Sequence, residues 1–257
     1  MTAAKKKPAK DKPKKKIARA TRRKTATAPK VSVIKAVPKM GPKYEFTGAT
    51  KIDGFGRTLR QIRALIAFGI VAAGDVGGWI ESEKNLAQVS GNAQVYGNAW
   101  VSGNAQVSGN AWVYGDAQVY GNARVSGNAW VSGNAQVSGN AQVYGNAWVS
   151  GNAQVYGDAQ VYGNAQVYGD AQVYGNAWVE KTPPMASRSD GYTFTYFDRA
   201  GLPPALTAGC RGPWTMQEAR DHWKRTRGGT PLGDETFAIL DFFEASAKAR
   251  GFKMEGR

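Results

Sequence analysis

The sequence holds one cysteine, Cys210, and one histidine, His222, among 257 residues. A lone cysteine excludes an intrachain disulfide framework and any multi-cysteine metal site. A lone histidine would leave zinc to an unusual set of carboxylates. No metal and no cofactor are therefore expected. No apolar run approaches the ~18 residues of a membrane span, so no membrane partner is expected. The N-terminus is basic but lacks the apolar core of a secretory signal. The default is a cytoplasmic protein.

Acidic residues are scarce at one end of the chain. Residues 1–43 contain thirteen Lys and three Arg against one Asp, while the remaining 214 residues divide eighteen against eighteen. The whole excess of +15 thus lies on an N-terminal tail attached to a neutral body. The tail also has few large apolar side chains, and Pro8, Pro13, Pro29, Pro38 and Pro42 interrupt it. Such a segment cannot bury enough surface to offset its ordering entropy, and disorder is expected. Lys5, Lys6, Lys7, Lys10, Lys12, Lys14, Lys15, Lys16, Arg19, Arg22, Arg23 and Lys24 are the candidate nucleic-acid-binding residues. They would hold nucleic acid or another polyanion by counterion release, without reading sequence. Nucleoid association would follow. The plain alternative is a solubilising spacer. The composition resembles the tails of linker histones and some bacterial nucleoid proteins.

What the middle of the chain has in abundance is repetition. Valine recurs every six residues from Val89 to Val179, sixteen times without interruption. Each unit runs Val, Ser or Tyr, Gly, Asn or Asp, Ala, then Gln, Trp or once Arg124. Strand alternation puts Ala and Val on one side and the Gln/Trp position on the other. Glycine followed by Asn or Asp suits a corner that needs left-handed backbone. One unit is then one flat side and one turn, and three sides close an 18-residue coil. About five coils are expected over residues 83–180. Trp112, Trp130 and Trp148 lie 18 apart and would stack outward on one wall, a candidate partner-binding face, with Trp100 and Trp178 on the other two. The unit resembles the hexapeptide repeat of left-handed β-helix proteins, with an aliphatic residue followed four positions later by a small one, as at Val89 and Ala93. That resemblance implies a left-handed coil.

Residues 44–82 are expected to cap the first coil. Tyr44 to Thr47 suggests a strand, Arg57 to Ile66 suits a helix or a strand, and Trp79 is placed to cover the open apolar end. Tyr44-Glu45-Phe46-Thr47-Gly48, Leu59-Arg60-Gln61-Ile62 and Gly74-Asp75-Val76-Gly77-Gly78-Trp79-Ile80, running into the repeat, resemble the YdcK-like hexapeptide family. That group carries transferase or polymer-forming cytoskeletal labels and is frequent in phages and prophages. It supplies a fold more than an activity.

Residues 181–257 are expected to form a small ββαα module. Gly191 to Phe197 alternates like a strand, and Leu206 to Gly209 would pair with it. Thr215 and Glu218 form a capping box for a helix to about Arg225. A second helix after Asp234 carries Phe237, Leu240, Phe243 and Ala247 on one face. Cys210 and His222 invite a nucleophile–base reading, against which stand a buried thiol and an ordinary helical histidine. Arg211, Arg220, Lys224, Arg225 and Arg227 are a candidate phosphate cluster.

The resulting expectation is an all-β solenoid with a basic tail and an α+β end module. It would act as a non-enzymatic scaffold or adaptor, as a homo-oligomer or with a protein partner. A hexapeptide acyltransferase is the rival, though the array contains no histidine to serve as its base. A glycan-binding or tail-spike-like β-helix is a third reading.

Overall fold

The computed structural model describes residues 41–89, 91–199 and 201–251. The basic residues proposed for the tail, and the expectation of disorder there, lie outside the described residues, but the boundary with the body can be fixed. Lys43 is only 2% exposed. Its backbone N–H donates to Gln88 Oε1 at 3.0 Å and its ammonium reaches the Gly91 carbonyl. Lys43 therefore belongs to the body, and burial holds its pKa below the usual lysine value.

The body opens with antiparallel strands β1 (Tyr44–Ile52), β2 (Thr58–Ala64) and β3 (Val76–Ile80). Asp53 sets the first turn by accepting from the N–H groups of Phe55 and Arg57, each at 2.9 Å. Leu59 and Ile62, three apart, are both buried on β2, and the register of β2 shifts against both of its neighbours, with the extra residues on β1 and β3.

β3 is already a rung of the solenoid. Trp79 lies beside Trp100 and Ile80 beside Val101 in a parallel pairing. Trp79 therefore points outward, with the Lys51 ammonium 4.6 Å from its ring, and does not cover the apolar end. Ile80 takes the inner position, and Leu86 follows it, bridged to Val107. Between Leu86 and Val95 the chain spends nine residues on one side, and Val89 is left 63% exposed. The first of the sixteen valines is thus outside the core. Tyr44 closes this end by donating its hydroxyl to the Leu86 carbonyl at 2.9 Å.

Fifteen two-residue strands, β4–β18, run from Gln94–Val95 to Trp178–Val179 and form three walls. Each residue pairs with the one 18 positions on, as Val137 does with Val155. One wall has six rungs because β3 contributes to it, and Ile80 there keeps the count of inner rung residues at sixteen although Val89 lies outside the core. Ala and Val fill the interior completely from Ala99 to Val173. At the corners, the array glycines from Gly91 to Gly175 have φ between +61° and +73°. They also stack closely: a Cβ on Gly127 would lie 2.9 Å from the backbone nitrogen of Gly145. Only glycine meets both demands.

Asparagine side chains run up the same corners. Asn104 donates Nδ2–H to Asn122 Oδ1 at 3.1 Å, Asn122 to Asn140 at 3.0 Å, and Asn140 to Asp158 at 2.9 Å. A carboxylate accepts but has no proton to pass on. Ladders therefore stop at Asp158, at Asp170, and midway at Asp116, which accepts from Asn98 at 3.1 Å.

The far end is closed by an antiparallel sheet of β19 (Met185–Ser187), β20 (Thr193–Arg199), β21 (Leu202–Ala208) and β22 (Arg211–Trp214). Four strands replace the expected two. Phe197 and Ala205 join the solenoid core, and Thr207 donates to the Gln172 carbonyl at 2.7 Å. Phe194, Tyr196, Leu206 and Ala208 face the opposite way, onto α1 (Met216–Arg227) and α2 (Pro231–Ala249). The sheet is buried on both faces, one against the last coil and one against the helices. The capping box at Thr215 and Glu218 is present. α2 starts three residues before Asp234, with Thr230 capping it and Pro231 at its first turn.

Candidate functional site

The expected tryptophan ladder forms on the wall that pairs Trp112, Trp130 and Trp148 rung by rung. Ring centroids are 4.9 and 5.0 Å apart, with planes within 3° and 16° of parallel. Tyr114 meets Trp130 edge-on at 6.2 Å. The spacing is imposed by the strands, so each ring's face is used on its neighbour. A further ring between two stacked planes needs about twice the ordinary 3.5 Å contact, and these gaps are too small. Ligands can reach the stack at its edges and its ends. Trp148, next to Gln166, is the most open of the three at 44% exposed.

At the other end of the stack lies a cleft that sequence reasoning did not find. Its volume is about 350 Å³, and its walls include Phe68, Ile70, Val71, Tyr96, Trp112 and Trp130. The overhang is a tight hairpin in which Phe68 and Val71 exchange backbone hydrogen bonds of 3.0 and 2.9 Å. Ile70 at its tip is 73% exposed. The available signal was the apolar run Phe68-Gly-Ile-Val71 within a segment already assigned to capping.

In the end module the structure separates residues that sequence proximity had grouped. Cys210 is exposed in the turn between β21 and β22, neither ending a strand nor buried. His222 stacks on Trp214 at 4.9 Å and meets Trp223 edge-on at 5.1 Å. Among the described residues no hydrogen bond joins Cys210 to His222. Arg220 is taken up by Asp241 at 2.6 Å and Glu244 at 3.0 Å. Lys224 and Arg225 stand exposed in the last turn of α1, where cations complement the helix dipole. Arg211 and Arg227 do converge, with His222 and Arg188, on a shallow cleft. Arg188 is occupied, however: Asp190 accepts two of its hydrogen bonds at 2.9 and 2.7 Å, and Thr236 accepts a third at 3.0 Å. Those bonds hold the Asp190 carboxyl below its usual range. Burial pushes the Tyr196 hydroxyl up to about 12, away from acid–base work at neutral pH.

Seven overlapping or adjoining windows of the chain match the model of the YdcK β-solenoid repeat: residues 87–103, 105–118, 117–133, 135–151, 141–157, 153–169 and 159–175. Together they span residues 87–175 with single-residue gaps at 104 and 134, ending before the last rung at Trp178–Val179. Comparison with curated proteins found no match to this chain. No described helix is long and apolar enough to cross a membrane.

Proposed function

We propose that the protein, whose repeat array matches the model of the YdcK β-solenoid repeat, is a non-enzymatic scaffold. In this reading the solenoid presents a fixed aromatic strip and the tail holds nucleic acid or another polyanion. The observation that carries the reading is the partition of charge. With Lys43 assigned to the body, residues 1–42 carry twelve Lys and three Arg against one Asp, and everything after them carries nineteen basic against eighteen acidic groups. A polycation joined to a neutral, hydrogen-bonded prism attracts phosphate backbones through the tail alone. The Trp112, Trp130 and Trp148 strip supports a protein partner, a second copy first among them. Closely stacked rings offer a flat, rigid apolar ridge rather than slots for sugars or bases.

A gel-shift series at rising salt tests the tail. The full chain should bind duplexes of unrelated sequence alike. If about eight phosphates are neutralised, log K against log salt should slope near −7. Removing residues 2–40 should abolish the shift and leave the thermal transition in place. The cut stops short of Lys43 because that side chain is part of the fold. Salt-independent binding, or binding by the shortened chain, would defeat the assignment and direct attention to Arg211 and Arg227.

A further inference from the structure

We propose that the cleft at the N-terminal end of the tryptophan stack is a binding site for a small, neutral aromatic molecule carrying one hydrogen-bond acceptor. The inference stands apart from the scaffold reading and fails or survives independently of the tail.

Among the described residues, a buried amide without a partner decides the ligand chemistry, since the other buried polar group in the lining, the Tyr44 hydroxyl, already donates to the Leu86 carbonyl. Gln94 is 7% exposed and lines the cleft, and its Nε2 is buried without a hydrogen-bond partner. An amide donor left unmade among apolar groups costs free energy, which an acceptor on a ligand would recover. The hairpin closes over this amide. Gly69 has φ +57°, and a Cβ there would lie 2.9 Å from Gln94 Nε2, so any side chain at this point of the hairpin would crowd the donor that glycine leaves clear.

The rest of the cleft sets shape and charge. Its volume of about 350 Å³ falls at the lower end of the range for small-molecule sites. Phe68, Ile70, Val71 and Tyr96 form apolar walls, and the Trp112 and Trp130 rings offer aromatic contact. Gln94 occupies the rung position next to Trp112, so an acceptor bonded to its amide places the ligand's ring close to the stack. Among the described residues the one carboxylate in the lining is Asp75, whose Oδ2 already accepts from the Ala72 N–H at 2.7 Å. A negative charge on the ligand would meet that carboxylate, and the described cation beside the walls, Lys43, whose ammonium lies 5.3 Å from the Phe68 ring centre, already donates to the Gly91 carbonyl. The acceptor is therefore a neutral carbonyl rather than a carboxylate.

The test titrates the full chain with 6-propionyl-2-(dimethylamino)naphthalene, a neutral naphthyl ketone whose emission moves to the blue in apolar surroundings and to the red when its carbonyl accepts a hydrogen bond. Saturable binding with a blue-shifted emission is expected. Gln94→Met keeps side-chain length and removes the donor. It should weaken binding about fivefold and move the bound emission further to the blue. Ile70→Asp puts a charge on the exposed hairpin tip, where the fold tolerates it, and should abolish binding. 2-Naphthoate should bind the parent at least tenfold more weakly than the ketone. No saturable binding by the parent, unchanged affinity and emission in Gln94→Met, or undiminished binding by Ile70→Asp would each overturn the assignment. Equal binding of 2-naphthoate would overturn its restriction to neutral ligands.

Discussion

At the scale of single residues, the glycines of the array are under two separate demands that substitution can separate. Gly127 combines φ +69° with a stacked neighbour, and a Cβ would reach 2.9 Å from Gly145 N. Gly169 shares the backbone conformation, φ +61°, but has nothing within 4 Å of its Cβ position. Gly169→Ala should therefore lose only the left-handed penalty, about 1–2 kcal/mol. Gly127→Ala should lose about 3 kcal/mol or more, because its clash is with backbone that cannot move aside. Urea unfolding of the two variants checks this, and equal losses would remove the stacking contribution. The repeat's inward and outward positions were legible because every unit states the same alternation, and the inner Ala and Val are fully buried as it requires. Val89 and Trp79 were misjudged for one reason. The frame of the repeat slips by three residues between Leu86 and Val95, and a period in the sequence does not reveal where a longer side absorbs a slip.

At the scale of elements, the asparagine ladders make a sharp prediction. Asp116 stops a ladder that resumes one rung later, where Asn134 donates to Asn152 at 3.1 Å. Asp116→Asn would let the side chain accept from Asn98 and donate to Asn134. A gain of about 0.5–1 kcal/mol is expected, reduced by the lost attraction to Lys51. A rise in the thermal midpoint would bear this out, and a fall would give the Lys51 attraction the larger share. Acid should separate the end module from the solenoid. Asp190 is held below its usual range chiefly by hydrogen bonds from Arg188, Glu218 by the Thr215 backbone N–H, and Glu235 by the Ser189 backbone N–H. Their folded pKa values lie below the unfolded ones. The stability they contribute is complete above the ordinary carboxylate range and is lost as pH falls through the depressed values. Protonating Asp190 also leaves the buried Arg188 without its counter-charge. The ladder amides do not titrate. Helical circular dichroism should therefore fall in acid while the β signal persists, and simultaneous loss of both would contradict the argument. The two inner strands and both helices of the module were legible from alternation and caps. β19 and β22 were not: one is three residues long, and the other contains Gly212 and Pro213, which sequence rules assign to turns.

At the scale of the whole molecule, the aromatic strip should govern association without governing folding. Changing Trp112, Trp130 and Trp148 together to Gln respects the repeat, since Gln holds most of the equivalent positions. Sedimentation should show weaker self-association or partner capture at an unchanged thermal transition. If both remain as in the parent, the strip is only a spacer wall. The strip was visible in the 18-residue spacing of its members. The cleft above it was not, because its walls come from a hairpin, the capping strands and three rungs far apart in the chain. No local pattern brings those together.

The three-walled register also governs how such a molecule can change length. Gaining or losing 18 residues adds or removes one storey, about 4.8 Å, and leaves both ends facing as before. Gaining or losing six residues would turn everything downstream through a third of a revolution. It would divide the tryptophans between two walls and swing the end module to another side. The protein is thus a ruler graduated only in whole coils, and any relative that keeps the bearing between its two ends must differ from it by multiples of 18.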